Sequence, residues 1–129
     1  MKHKILFLGL FTVLLVLVNG CALLLIGGAA AGAGTVFYVD GQLKDAEPAA
    51  FTAVHTATLA GLGDLKFAVV SDNSDAISSK IIVRTATDTK IEILLAKQSA
   101  TATEIRIRVG MFGDEQLSRQ VLDKIKAHL

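Results

Sequence analysis

The segment "EIRIRVGMFGDEQLSRQVLDKIK" (Glu104–Lys126) changes its hydrophobic period from two residues to about 3.6 across one short turn. Apolar and charged residues alternate along Glu104–Val109, which is typical of a β-strand with one buried face. Gly110 and Gly113 then let the chain turn into a helix. The apolar stripe of that helix consists of Leu117, Val121, Leu122 and Ile125. The segment therefore predicts a strand and a helix that each bury one face.

Three further strands are predicted upstream of this segment, over Lys66–Val70, Ile77–Thr85 and Ile91–Leu95. In the second of them Ile77, Ile81 and Val83 are expected to point inward and Lys80 and Arg84 outward. The connections are short and rich in turn residues, over 71–75, 86–89 and 98–101. Consecutive strands with short connections predict an antiparallel meander.

Two elements precede these strands. Asp40-Gly41 lies between apolar-rich runs and predicts a hairpin, with a single strand bulged at Gly41 as the alternative. Glu47-Pro48 is expected to open a helix that Gly61 and Gly63 end. The apolar face of that helix is Phe51, Val54, Thr58 and Leu62. His55 lies on or beside this face, and a hydrogen-bonded boundary histidine is favoured over a metal ligand there.

Together these elements predict an α+β fold for residues 35–129. It is a two-layer sandwich of two helices on an antiparallel meander sheet of about four to five strands.

The N-terminal part of the chain has a different composition. Ile5–Val39 contains no charged residue or histidine, whereas the residues after it carry 11 of the 13 basic residues and all 12 acidic ones. Basic and acidic residues are interspersed along this charged part. The sequence therefore has no concentrated basic segment of the kind that is typical of nucleic-acid-binding proteins. The chain has 129 residues and one cysteine, which excludes an internal disulfide.

The first 20 residues have the parts of a secretory signal peptide. A basic head (Lys2, His3 and Lys4) precedes the apolar run Ile5–Val18, and Asn19-Gly20-Cys21 ends it. Val18-Asn19-Gly20-Cys21 resembles the lipobox of bacterial lipoproteins. That resemblance implies cleavage between Gly20 and Cys21, acylation of Cys21, and sorting to the outer membrane, because Ala22 is not the Asp that retains lipoproteins at the inner membrane.

Other interpretations of this region remain open. An uncleaved membrane helix over Ile5–Ile26 is one, although Asn19-Gly20 interrupts it. A redox role for the thiol is disfavoured, because no charged residue lies near it in sequence. Residues 21–34 are expected to be a Gly/Ala-rich tether, and the spacing of Gly28 and Gly32 also suits close helix packing in a bilayer.

No catalytic constellation, metal-ligand spacing or cofactor-binding loop is recognisable in the sequence. Asp72 and Asp75 lie in a Ser/Asn-rich stretch without the spacing of a calcium loop. We therefore expect no enzymatic activity, no metal and no cofactor.

Arg106 and Arg108 are the candidate binding residues, since they lie on one face of one strand. They are suited to anionic lipid or to a carboxylate-bearing partner. The alternative is that they pair across the sheet with Glu92 and similar residues.

At these residues the chain resembles a family of small bacterial lipoproteins of the outer-membrane type that is known only as a domain of unknown function. The resemblance runs from Cys21 to about Ile125. It is carried by Gly20-Cys21, the Gly/Ala-rich tether, Tyr38–Leu43, the helix after Pro48, and Ile105–Asp114. It implies a helix-grip type of domain, in which a curved sheet wraps a helix, and it implies no activity.

The sequence thus predicts a lipid-anchored envelope protein that faces the periplasm and acts as a non-enzymatic binding module. A small hydrophobic ligand is one expected partner. The alternatives are a structural or assembly role beside another envelope protein, or an uncleaved protein with a single membrane span.

Overall fold

The computed structural model describes residues 36–129. The predicted signal peptide (1–20) and tether (21–34) lie outside these residues, as do Gly20, Cys21 and Ala22. The described elements, in chain order, are β1 (Phe37–Val39), β2 (Gln42–Glu47), α1 (Phe51–Asp64), β3 (Ala68–Ser74), β4 (Ser78–Arg84), β5 (Lys90–Ser99), β6 (Ala102–Val109) and α2 (Glu115–Lys126).

All six strands form one antiparallel sheet in the order β1-β2-β6-β5-β4-β3. The predicted α+β class and the meander of β3 to β6 are confirmed. The sheet has six strands instead of four to five, because the β1–β2 hairpin pairs with β6 and so joins the same sheet.

The hairpin prediction is confirmed, and the bulge at Gly41 is not observed. Phe37, Tyr38 and Val39 pair in register with Lys44, Leu43 and Gln42. Asp40 and Gly41, between the strands, both have positive φ, at 53° and 74°. A two-residue type I′ turn requires this conformation, and Asp-Gly favours it.

The first helix begins and ends later than the sequence predicts. Ala50 is its N-cap, with no side-chain cap, and Pro48 lies before it. Glu47 ends β2, so its carboxylate does not serve the helix N-terminus. Gly61 is a buried residue inside the helix, and its missing side chain lets α2 cross closely: a Cβ there would lie 2.9 Å from the backbone carbonyl carbon of Lys124. Tertiary packing against α2 thus continues the helix past a residue of low helix propensity.

The strand β3 also differs from the prediction. It covers Ala68–Ser74, most of which was expected to be a turn, and a bulge lies between Val69 and Ser71. Pairing with β4 outweighs the turn-forming composition of this segment. The turn lies at Asp75, whose Oδ1 accepts hydrogen bonds from the backbone N–H groups of Ile77 and Ser78, each 2.8 Å long. Ile77 lies in this turn, so the prediction that it points inward is wrong; it is 64% exposed.

The core lies between one face of the sheet and the two helices. Its sheet side is contributed by alternate residues of β2, β4, β5 and β6, as the period-two patterns predict. The helices contribute the predicted apolar stripes. The buried apolar residues are Leu43, Phe51, Val54, Ala57, Leu62, Ile81, Val83, Ile91, Ile93, Leu95, Ile105, Ile107, Val109, Val121, Leu122 and Ile125.

Of the helices within residues 36–129, neither is long and apolar enough to cross a membrane.

Candidate functional site

The sheet face opposite the helices is covered by no element of the described chain. Inward residues pack in the core, so their neighbours along each strand point the other way. These outward positions carry a group of cationic side chains, which we name the basic face: Lys44, Lys80, Arg84, Lys90, Arg106 and Arg108. The carboxylates of Glu92 and Glu104 point to the same side.

Strand register sets these side chains in rows across the sheet. In one row Phe37 of β1 pairs with Lys44, Lys44 with Arg106, Arg106 with Leu94, and Leu94 with Lys80. Arg106 is therefore at the centre of the row, on a central strand, with cations on both sides. Positions far apart in sequence meet here because the sheet is antiparallel and in register.

Two surface grooves meet at Arg106. One, of about 300 Å³, lies over Leu94 and Ala96 and is bordered by Lys80. The other, of about 310 Å³, lies between Phe37 and Lys44. Arg106 and Glu104 line both grooves. The sequence prediction therefore named a residue that lines both of these grooves.

Arg106 and Arg108 have different local partners. Arg106 forms an ion pair with Glu104 on its own strand, and this hydrogen bond raises the pKa of Arg106 above its ordinary value. Arg108 donates to the carbonyl oxygen of Asp40, 3.3 Å away. Both predicted residues lie on the same exposed face.

The alternative pairing with Glu92 is not what the structure shows. Glu92 lies opposite Arg108 in the register. Its Oε2 is instead 3.4 Å from Nζ of Lys80 and 3.7 Å from Nζ of Lys90. Lys44 and Arg108 form no ion pair with any described residue, so the basic face keeps cations without an internal counter-charge.

A second polar cluster links α1 to the edge strand β3. Nε2 of His55 lies 2.9 Å from Oδ2 of Asp72, and the hydroxyl of Ser79 donates to Oδ1 of the same carboxylate over 3.0 Å. The ring of His55 stacks on Phe51, with centroids 6.3 Å apart. These are the residue types of a catalytic triad, but here the serine bonds to the carboxylate and not to the histidine, so no base faces the hydroxyl. His55 is a hydrogen-bonded boundary histidine, as predicted.

A partly buried ion cluster joins β2 to the end of α2. Nζ of Lys126 lies 3.0 Å from Oδ2 of Asp45 and 3.5 Å from Oε2 of Glu47. Burial raises the pKa of Glu47, against the opposing charge of Lys126. Burial by itself lowers the pKa of Lys126, but the hydrogen bond and charge of Asp45 raise it overall. Sequence reasoning missed this cluster; the available signal was Asp45, a carboxylate two residues after Leu43 on the inward side of a strand.

Acidic residues of the described region do not assemble a metal site. Asp72 and Asp75 lie on β3 and in the turn after it, and each carboxylate is used by neighbouring side chains or backbone. No group of three or more metal-ligating side chains occurs between residues 36 and 129.

Two of the stretches that carry the family resemblance, Tyr38–Leu43 and Ile105–Asp114, contact each other in the fold. A Cβ on Gly41 would lie 2.6 Å from the carbonyl oxygen of Phe112, and one on Gly113 would lie 2.4 Å from that of Gly41. The hairpin turn and the loop before α2 therefore touch through their backbones, and only glycine permits the approach.

No curated protein matches the chain. A family model described as "Protein of unknown function (DUF3568)" matches residues 4–128, and the chain belongs to this family.

Proposed function

We propose that the protein is a non-enzymatic binding module, anchored by lipid at Cys21 to the periplasm-facing side of a bacterial outer membrane. The observation that carries the binding role is the basic face, an uncovered sheet surface on which two grooves meet at Arg106. The anchor is supported by the sequence, which places Gly20-Cys21 at the end of an apolar run behind a basic head.

The anchor is tested on the full chain in its bacterial host. Mass spectrometry of the mature N-terminus should find Cys21 as the first residue, carrying acyl chains such as palmitate. The Cys21→Ser variant should remain unprocessed and lose the acyl mass. If processing, mass and membrane partitioning are the same in both chains, the proposed anchor is wrong and an uncleaved span replaces it.

The binding role is tested by what co-purifies with the protein. Leu94 and Ala96 give one groove an apolar floor, which suits a small hydrophobic group beside the cation of Arg106. Native mass spectrometry of the purified protein should detect bound molecules that the Leu94→Lys variant lacks. A wild-type protein without any bound molecule would count against a carrier role.

A second candidate function is an assembly role through the sheet edges. Both edge strands are open in the described part of the chain, and Val69 and Val70 of β3 are 49% and 60% exposed. An exposed strand edge can accept a strand from another protein. Photo-crosslinking from position 70 in intact cells should then capture a stoichiometric partner, whereas crosslinking from the exposed helix position 52 should not.

The absence of catalysis is itself part of the proposal. It is supported by the arrangement of Ser79, Asp72 and His55, because the serine hydroxyl and the histidine ring both bond to the carboxylate of Asp72 and not to each other. A screen of hydrolase substrates with the purified protein should show no turnover. Turnover that the Ser79→Ala variant abolishes would overturn this part of the proposal.

A further inference from the structure

We propose that the basic face, with the exposed Phe37 and Val39 beside it, docks on the phosphate headgroups of an anionic lipid bilayer. The inference rests on the proposed function and deepens it, because it names the chemistry that the binding face recognises. It also defines how the domain lies on the membrane to which it is tethered.

The first argument is charge. Six cationic side chains point from this face, against the two carboxylates of Glu92 and Glu104. These carboxylates pair with Lys80, Lys90 and Arg106, and Arg84 pairs with Asp88 of the following turn, which leaves Lys44 and Arg108 without an acidic partner among the described residues. The chain after Val39 carries one more acidic residue than basic ones. The positive charge of this face therefore arises because the fold places basic residues together on it, and not from an excess of basic residues. A face of this kind is attracted to an anionic surface through many weak contacts.

The second argument is the position of the exposed apolar residues. Phe37 and Val39 are 55% and 50% exposed. They pair in register with Lys44 and Gln42, so their side chains point to the same side as the basic face. Aromatic and aliphatic side chains next to lysine and arginine are characteristic of protein surfaces at the membrane interface.

The third argument favours lipid over a protein partner. Arg106 occupies the centre of the face, and the side chains of Lys80, Lys90 and Arg106 keep 44–49% of their surface exposed. Protein–protein interfaces are depleted in lysine and glutamate although arginine is enriched there, so the lysines and glutamates around Arg106 are what favours headgroups. A face with charge at its centre and apolar residues at one edge is better suited to headgroups than to a protein core.

The fourth argument is the path of the chain. The first strand, β1, carries Phe37 and Val39, and residues 21–36 precede it. These sixteen residues reach at most about 55 Å when extended. An anchor at Cys21 therefore holds this edge of the sheet near the bilayer at a high effective concentration.

The experiment uses the full chain on vesicles of phosphatidylglycerol or of phosphatidylcholine. Lysines are acylated with a water-soluble succinimidyl ester, and the rate at each position is read by mass spectrometry. We expect acylation of Lys44, Lys80 and Lys90 to be slower by about threefold or more on phosphatidylglycerol, because docking covers them. Lys66, Lys97 and Lys124 lie outside the basic face. Any change in their acylation rate therefore measures the general effect of the vesicle surface on the reaction. High salt should remove the difference.

Matched charge variants separate docking from general attraction. Arg106→Glu with Arg108→Glu should abolish the protection of the face lysines. Lys97→Glu with Lys124→Glu makes the same change of charge elsewhere and should leave it intact. Equal acylation of face and off-face lysines in the wild-type chain on phosphatidylglycerol would overturn the proposal. Protection found in native envelopes but on neither vesicle would overturn it in favour of a protein partner.

Failure of the anchor gives a different result. A chain that carries neither acyl chains nor a retained apolar span would leave phosphatidylcholine vesicles in a flotation assay, whereas a chain held by either one floats with both, and the mass of the mature N-terminus distinguishes these two. If the unanchored chain still floats with phosphatidylglycerol, docking holds while the anchor fails. If it floats with neither, both proposals fall.

Discussion

At the scale of single residues, the glycines of this fold serve different purposes. Gly41 and Gly113 both have positive φ and touch through their backbones, whereas Gly110 has positive φ with only Thr89 nearby. Positive φ alone indicates a turn. Contact with a second backbone makes the residue irreplaceable, and only three-dimensional packing reveals that contact.

We expect Gly113→Ala to destabilise the protein by about 3 kcal/mol or more, because the new Cβ would meet the backbone of Gly41 in addition to the strain of φ +83°. The matched control is Gly110→Ala, which has φ +63° and one neighbour 3.9 Å away, Cγ2 of Thr89. It should cost only about 1 kcal/mol. Urea unfolding measures both, and equal losses would contradict the backbone contact.

Glu47 gives a residue-scale prediction of pH dependence. Burial raises its pKa above 4.5 in the folded state, so the folded protein binds its proton more tightly than the unfolded chain does. Its contribution to stability is therefore complete below pH 4.5 and is lost as the pH rises through the folded-state pKa. Glu47→Gln should gain stability relative to the wild type over that window, by about 1.4 kcal/mol for each unit of pKa difference.

Urea unfolding at a series of pH values tests this sign. Glu115→Gln is the matched control, since Glu115 is half exposed and pairs with Arg119 on the surface of α2. Its effect should be small and should not follow the same window. A Glu47→Gln variant that loses stability relative to the wild type as the pH rises would contradict the burial argument.

At the scale of elements, the crossing of α1 and α2 decides where the first helix ends. Gly61 and Gly63 lie two residues apart in one helix, but only Gly61 faces the other helix. The helix continues beyond Gly61 because α2 packs against it there. Lys66, with φ of 57°, then turns the chain towards β3.

We expect Gly61→Ala and Gly63→Ala to change stability in opposite directions. A Cβ at Gly61 would lie 2.9 Å from backbone atoms of Lys124, so the helices must separate, at a cost of about 2 kcal/mol. A Cβ at Gly63 has no heavy atom within 4 Å, and alanine there should add about 0.5–1 kcal/mol through its helix propensity. Thermal unfolding followed by circular dichroism distinguishes the two, and a loss in both variants would contradict the crossing.

At the scale of the whole molecule, the described region holds a single apolar layer between sheet and helices. Strands from both ends of this region meet at its centre, since β2 pairs with β6. The hairpin and the meander therefore cannot be separated without opening the core. This arrangement favours folding and unfolding of the domain as one cooperative unit.

We expect residues 35–129, expressed alone, to fold and to unfold in one transition. The free energy of unfolding should be roughly 5–10 kcal/mol, as is usual for a domain of this size. Coincident transitions by tertiary and secondary-structure signals in urea would support this. Two separated transitions, or no transition at all, would contradict the domain boundary.

Local periodicity predicted much of the fold. The alternation in Glu104–Val109 fixed which side of β6 is buried, and so placed Arg106 and Arg108 on the exposed face. Asp40-Gly41 predicted the hairpin because its turn depends on two adjacent residues. The prediction was wrong at β3 and at Gly61. There, pairing with β4 and packing against α2 outweigh local propensity.

The sequence by itself determined the α+β class, the sides of the strands and the contrast between an uncharged N-terminal stretch and a charged domain, because these depend on neighbours along the chain. Tertiary structure alone decided the rows of cations across the sheet, the cluster of Asp45, Glu47 and Lys126, and the contact of Gly41 with Gly113. Each of these joins residues distant in sequence, and the register of strand pairing brings them within contact distance.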